Sequence, residues 1–567
     1  MRVVLLTLLA GVLWSAPKVG QADFDKLVDH YFDEYYRYHP SQATVDGFHQ
    51  YDSQLEDYSL AAIASETRSL EQLQAQFEQF PAESLSPESA ADRQLVISKI
   101  RSQLLELEKI RLWEKNPDKY SSDLASSAFG IMSRNFAPPE ARLQSLMARE
   151  KQMPNALVQG RRNLRNPPRV YTDVALEQLP GIIGFFKNDV PAAFHDVKDR
   201  KLLDEFHASN QAVMDALGEY QKFVKEKLLP HSNGDFRIGA ENYSHKLLYD
   251  EMVDTPLDQV LEIGYRNLRQ NQQAFRDTAA KIDAHSTPQQ IMAKLEKDHP
   301  PDGALLQSFR DVLGGLREFI VNRKIVTLPS LDPPTVEETP PFMRALSTAS
   351  LDAPGPYEKV AKNAFFNVTL PEPDWTKEKK EDYLEAFHRG TIVSTAVHEV
   401  YPGHYVQFLW MKTAPSKVRK LIGASSNAEG WAHYTEQMML DEGYGNGDLK
   451  LRLGQLQDAL LRNARYIVGI EMHTGRMTID QAVEFFVKEG YQKRAIGEEE
   501  AKRGTSDPTY LYYTLGKLEI LKLREDYRKL RGSQFSLLEF HDKFLAQGCP
   551  PIKIVRRAML GNDSPVL

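Results

Sequence analysis

The chain has 567 residues, 42% hydrophobic and 26% charged, with 32 Gly and 32 Pro, which excludes disordered and fibrous classes and leaves enough apolar side chain for a large core. Its formal net charge is −8, so it lacks the overall basic surface that nucleic-acid binding by phosphate neutralisation needs. A single cysteine, Cys549, excludes an intramolecular disulfide and a Cys-rich zinc or iron–sulfur site, so any metal must be held by His and carboxylates.

Met1-Arg2 followed by the apolar run Val3 to Trp14 has the length and flanks of a secretory signal rather than of a spanning helix. Gly20-Gln21-Ala22 places small residues at −3 and −1, so residues 1–22 read as a signal peptide cleaved after Ala22. No cysteine stands at the leader end, which argues against a lipoprotein. No later stretch approaches ~20 uninterrupted apolar residues, so no stable membrane span is expected in the mature chain. The expected location is therefore exported, periplasmic or extracellular.

Beyond the leader, Phe24, Leu27, Val28, Tyr31, Phe32, Tyr35 and Tyr36 recur at three- and four-residue steps up to Pro40, the pattern of an amphipathic helix. Similar spacing marks Leu95 to Ile110, 139–164, 257–282 and 303–323, so 23–328 reads as an N-terminal helical region. Nine prolines fall in 329–373, and 329–376 is expected to be a crossing segment. Within it, Ala364 to Leu370 is aromatic and β-branched between breakers, which predicts a short strand that is either core or an edge for an extended peptide. Helical patterning resumes over 377–567, the region that carries the chemistry.

The chemistry gathers first in His398-Glu399-Val400-Tyr401-Pro402-Gly403-His404. A metalloprotease helix places two imidazoles four residues apart on one face, with a Glu between them to act on a water. Here the second His is two residues late. Six residues of helix turn by about 600°, which leaves His404 about 120° from His398. Pro402-Gly403 is expected to repair this by bulging the helix, since Pro removes a donor and Gly accepts unusual dihedrals. Further along, Glu429-Gly430-Trp431-Ala432-His433-Tyr434-Thr435-Glu436 offers a third ligand. Glu429 and Glu436 are spaced to share a helix face, one as ligand and the other orienting an imidazole, with His433 as a competing ligand. Gly430 permits close approach of another backbone.

These two motifs resemble the signature of the bacterial domain of unknown function 885 family. The likeness extends to His39-Pro40, Ala43 to Gly47 and Tyr51-Asp52 near the start. It also takes in Arg465 with His473, the run Thr478 to Phe486, and Tyr513-Thr514-Leu515-Gly516-Lys517-Leu518. The resemblance implies a mainly α, large helical zincin-like fold with a deep cleft and a few short strands. It also implies a zinc metallopeptidase whose metal sits on the positions matching His398, His404 and Glu429. Two positions depart from the family pattern. Asp507-Pro508-Thr509-Tyr510 stands where relatives tend to have Pro-Gly-Gln-Ala, and Gly469 stands where an acidic residue is expected.

Under that reading Glu399 is the general base, and Tyr513 or His473, singled out by the resemblance, donates a hydrogen bond to the oxyanion. The substrate is a peptide. Two other functions use the same residues: an exported peptide-binding protein without turnover, and a metal-dependent amide or ester hydrolase, since an activated water attacks any polarised carbonyl. The intact Glu399 weighs against the first.

Overall fold

A computed structural model describes residues 20–340, 343–344 and 348–567. The expected signal peptide lies outside the described residues up to residue 19, and Gly20 is the N-cap of α1 (Gln21–Tyr38). That helix buries Phe24, Val28, Tyr31, Phe32 and Tyr36, the apolar face read from the spacing. It stops before Pro40, which has no N–H to extend it and instead opens the next helix, Pro40–Asp46. The segment around Leu95 is α2 (Pro87–Leu105), prolonged by a π turn over Glu106–Ile110. The stretch 139–164 forms two helices, Pro139–Glu150 and Met153–Asn163, because Pro154 fits the first turn of a helix but not its interior. Then come α3 (Gly239–Glu251), α4 (Leu257–Ile282) and α5 (Leu305–Arg323).

The proline-rich segment contributes a three-stranded sheet in the order β1 (Thr335–Glu338), β3 (Phe365–Val368), β2 (Ala349–Asp352). Thr335 pairs with Phe365 in the parallel ladder and Ala349 with Val368 in the antiparallel one. β3 is the strand expected from sequence, yet both its edges are already paired, so it offers no edge to an extended peptide. Its Phe366 is buried edge-on against Phe309 of α5, with ring centroids 5.2 Å apart.

The C-terminal region supplies α6 (Arg389–Glu399), α7 (His404–Met411), α8 (Ser425–Asp441), α9 (Leu449–His473), α10 (Arg494–Ser506) and α11 (Tyr512–Arg531). α8 and α11 make the most extensive pairing, and α9 packs against both α4 and α6. Gly430 and Gly516 meet where α8 crosses α11: a Cβ on Gly430 would lie 2.5 Å from Gly516 Cα, and one on Gly516 would lie 1.7 Å from Ser426 O. Only residues without a Cβ allow that approach. Apolar clusters join distant parts of the chain, as where Val260 and Leu268 of α4 share a core with Leu460 and Tyr466 of α9. The protein is mainly helical with a few short strands, and among the described residues no helix is long and apolar enough to cross a membrane.

Candidate metal centre

α6 delivers His398 one residue before its end, and the chain then leaves the helix at Val400. The expected bulge is in fact a break: α6 ends at Glu399 and a separate helix, α7, begins at His404. The loop between them, which contains a cis Tyr401–Pro402 peptide, folds back on the last turn of α6. Tyr401 N–H donates to Ala396 O at 3.1 Å and Gly403 N–H to Val397 O at 3.0 Å. A Cβ at position 403 would lie 1.7 Å from His398 O, so the return path requires glycine. Trp431 of α8 fixes the loop from outside, its Nε1–H donating to Pro402 O at 2.9 Å. The result brings the His398 and His404 rings to 4.9 Å, edge to face at 88°.

Glu429, one turn into α8, closes the group. Its Oε2 lies 3.2 Å from His398 Nε2 and 3.3 Å from His404 Nε2. Ligands about 2.0–2.1 Å from a tetrahedral zinc stand ~3.3 Å from one another, so these separations fit one ion on three donors. All three donor atoms fall within 4.8 Å of one another. The other two candidates from sequence lie behind this group. Glu436, wholly buried, accepts from His398 Nδ1–H at 2.7 Å through Oε1 and from His433 Nδ1–H at 3.0 Å through Oε2, and Arg462 Nη2 pairs with Oε1 at 3.0 Å. Burial raises the Glu436 pKa, but Arg462 and the two imidazoles hold it well below the usual carboxylate range. Burial, helped by the Lys517 charge, pushes the His433 pKa down to about 3, so that ring is neutral. Burial would lower the His398 pKa as well, but the Glu429 and Glu436 carboxylates at its two nitrogens raise it to about 9.

Glu399 is partly buried at the end of α6 and has no hydrogen-bond partner among the described residues. Burial raises its carboxyl pKa; His398, His404 and Arg462 pull it down, and Glu429 pushes it further up. Tyr513, in the first turn of α11, places its ring 6.2 Å from that of His398, and its hydroxyl accepts from Arg503 Nη2 at 3.3 Å. Burial and the Glu429 charge keep the phenol protonated. His473 stands apart from this group. Its Nε2–H donates to Gly504 O at 2.8 Å, its Nδ1 accepts from Ile238 N–H at 3.4 Å, and burial brings its pKa to about 4. Both ring nitrogens are taken by main chain, so His473, though it lines a cavity, has no donor to spare for a substrate oxygen.

Sequence reading missed two residues, Arg462 and Arg503. Arg462 holds Glu436 and Arg503 holds Tyr513. Arg462 and Arg465 share a face of α9, and only the burial of that helix along most of its length, which the structure shows, marks them out. A cavity of about 600 Å³ is lined by Ser425, at the start of α8, and by Tyr512, at the start of α11, but by none of His398, Glu399, His404, Glu429 or Tyr513.

Residues 40–559 match the family model described as "Bacterial protein of unknown function (DUF885)". A solved structure from Shewanella oneidensis, described as a candidate lipoprotein of unknown function, is 28% identical, covers 95% of this chain and 99% of its own, and superposes with a TM-score of 0.79. A crystal structure of a candidate lipoprotein from Colwellia psychrerythraea shares the fold at 17% identity and a TM-score of 0.80, again over 95% of this chain and 99% of that one. No curated protein matches the chain.

Proposed function

The chain belongs to the DUF885 family, whose description assigns no activity, and we propose from the centre itself that it is an exported zinc metallopeptidase acting on peptides or oligopeptides, with a zincin-like site. The observation that carries this is the convergence of His398 Nε2, His404 Nε2 and Glu429 Oε2, with contacts of 3.2 and 3.3 Å. Zinc held there supplies Lewis acidity, polarising a scissile carbonyl and acidifying water. The chain's own residues supply the rest. Glu399, adjacent to His398 and without a competing partner, accepts a proton from water and returns it to the leaving nitrogen. The hydroxyl of the water ends on the acyl carbon and its proton on the amine. Tyr513 donates a hydrogen bond from its hydroxyl to the developing oxyanion and keeps its proton. Glu436 accepts from His398 Nδ1–H, which leaves the Nε2 lone pair directed at the metal. Export is supported by the apolar run Val3 to Trp14 after Met1-Arg2 and by the description of both structural relatives as candidate lipoproteins.

Metal analysis of the purified protein and of Glu429→Ala, together with mass spectrometry of products from a mixed peptide library, tests the proposal. Expected are about one zinc per chain in the wild type, a large loss in the variant, and cleavage that chelation abolishes. Undiminished zinc in Glu429→Ala would remove that residue from the ligand set. A zinc-loaded protein that cleaves no library peptide would refute the peptidase reading.

A further inference from the structure

Three guanidiniums surround the Tyr513 ring, with Arg465, Arg462 and Arg503 Cζ atoms 5.0, 5.6 and 5.9 Å from its centroid. Their duties differ. Arg465 is consumed by a two-bond pair with Glu500, 2.6 Å on each arm. Arg462 is paired with the buried Glu436 at 3.0 Å. Arg503, on α10, is tied through one nitrogen: Nη2 reaches Asp507 Oδ2 at 3.2 Å, Tyr512 Oη at 3.4 Å and Tyr513 Oη at 3.3 Å. Its Nε and Nη1 have no hydrogen-bond partner among the described residues, and its side chain is 37% exposed. A guanidinium with spare donors beside a hydrolytic centre is suited to a carboxylate.

The cavity is lined by Asp507, the partner of Arg503, and by Tyr512. Its carboxylates are already employed: Glu106 and Asp250 by Lys246 at 2.7 and 3.0 Å, Glu66 by His39 at 2.8 Å, Glu251 by Ser426 N–H at 3.0 Å, and Asp507 by Tyr512 Oη at 2.8 Å and by Arg503 itself at 3.2 Å. Lys99, on the same wall, has no carboxylate partner among the described residues. Every carboxylate on the cavity wall is thus engaged, while Lys99 is left as a cation able to face a substrate acid. Reach fits as well. The ring and guanidinium separations put Arg503 Cζ within about 12 Å of the His398 ring, and a residue of extended chain spans ~3.3–3.6 Å, so a carboxylate on Arg503 lies one to three residues beyond a carbonyl at the metal centre.

We infer that Arg503 binds the C-terminal carboxylate of the substrate, so that the enzyme acts from the carboxyl end of peptides and releases one to three residues per cut. This rests on the peptidase reading of the same centre, and the test separates the two. Calorimetric titration of the full, zinc-loaded chain carrying Glu399→Gln, to prevent turnover, compares two peptides that differ only in a C-terminal carboxylate or carboxamide. The acid should bind at least ~10-fold more tightly, as a charge-assisted hydrogen bond predicts. Adding Arg503→Gln should bring the acid down to the affinity of the amide and leave the amide unchanged, which also shows that the fold is intact. Equal affinities, failure of both peptides to bind, or a preference that survives Arg503→Gln or disappears instead with Lys99→Gln would overturn the assignment. So would internal cleavage of amidated peptides by the wild type. Acid-selective binding that depends on Arg503, with no hydrolysis by the wild type, would refute the peptidase reading and leave the carboxylate site standing.

Discussion

Glu436 keeps its charge with no exposure to solvent because Arg462, His398 and His433 all face it. Removing that charge while keeping the shape should therefore act on the metal through His398. In Glu436→Gln zinc affinity should fall by ~10–100-fold in a chelator competition, since the imidazole loses the acceptor that fixes its tautomer and raises its basicity; unchanged affinity would sink this account. Glu399→Gln should do the opposite, leaving metal content nearly unchanged while turnover drops by ~10²–10⁴-fold or more, because one carboxylate serves both proton transfers. A variant retaining most of its hydrolysis would remove Glu399 as the base, and one that lost its zinc would show that Glu399 holds the site together. His398, His404, Glu429 and Glu399 were legible because their residue types and order already state a chemistry. Arg462 and Arg503 were not, because an arginine on a helix reads as a solvated charge until the helix is known to be buried. The two departures from the family pattern meet in space. A Cβ on Gly469 would lie 2.8 Å from Pro508 O and 3.0 Å from the Tyr510 ring, so the expected acid at 469 would require the 507–510 turn to shift.

Helix periodicity located elements such as Leu257–Ile282, which opens directly after Pro256 and ends at Asp283. Between His398 and His404 it expected the two imidazoles to meet, as they do, but by a different local geometry. A bulge keeps one helix axis; here the loop 400–403 starts a second, and the reversal depends on main-chain bonds to Ala396 and Val397 that no periodicity encodes. The strands β1 and β2 were missed for a related reason: they are four residues long and half polar, and only their pairing to β3 makes them strands. Gly403→Ala should displace α7 and with it His404, so zinc content should fall. A variant with full metal occupancy would show that the loop path is not set by this glycine. At the crossing of α8 and α11, Gly516→Ala should cost ~2 kcal/mol or more in urea unfolding, as its Cβ would meet Ser426 O at 1.7 Å. The internal control is Gly218, in the helix Arg200–Phe223 with open space around it, where alanine should stabilise by ~0.4–1 kcal/mol.

At the scale of the whole molecule, the unread part is long-range pairing. Val260 and Leu268 find Leu460 and Tyr466, and Phe24 shares a cluster with Val418 and Ile554, partners that a pattern of local periods cannot supply. Burial on this scale also traps ionisable groups far from the metal centre, and these set how stability follows pH. Glu150 ends the helix Pro139–Glu150 and is wholly buried; one oxygen accepts from Ser209 of Arg200–Phe223 and the other has no partner. Burial pushes its carboxyl up to about 8, against which the Ser209 hydrogen bond is the smaller effect. An acid whose pKa is raised on folding contributes stability that is complete below its unfolded value near 4.5 and is lost as pH rises to about 8, because the unfolded chain releases the proton first. At ~1.4 kcal/mol per unit, the loss attributable to this group between pH 4.5 and 7 is on the order of 3 kcal/mol. Glu150→Gln keeps the shape and the acceptor for Ser209 but has no proton to release. Its urea midpoint should therefore exceed that of the wild type at pH 7, with the gap closing as pH falls to 4.5. Parallel pH profiles for the two proteins would show that Glu150 is ionised in the folded state, with a counter-charge that its surroundings do not display.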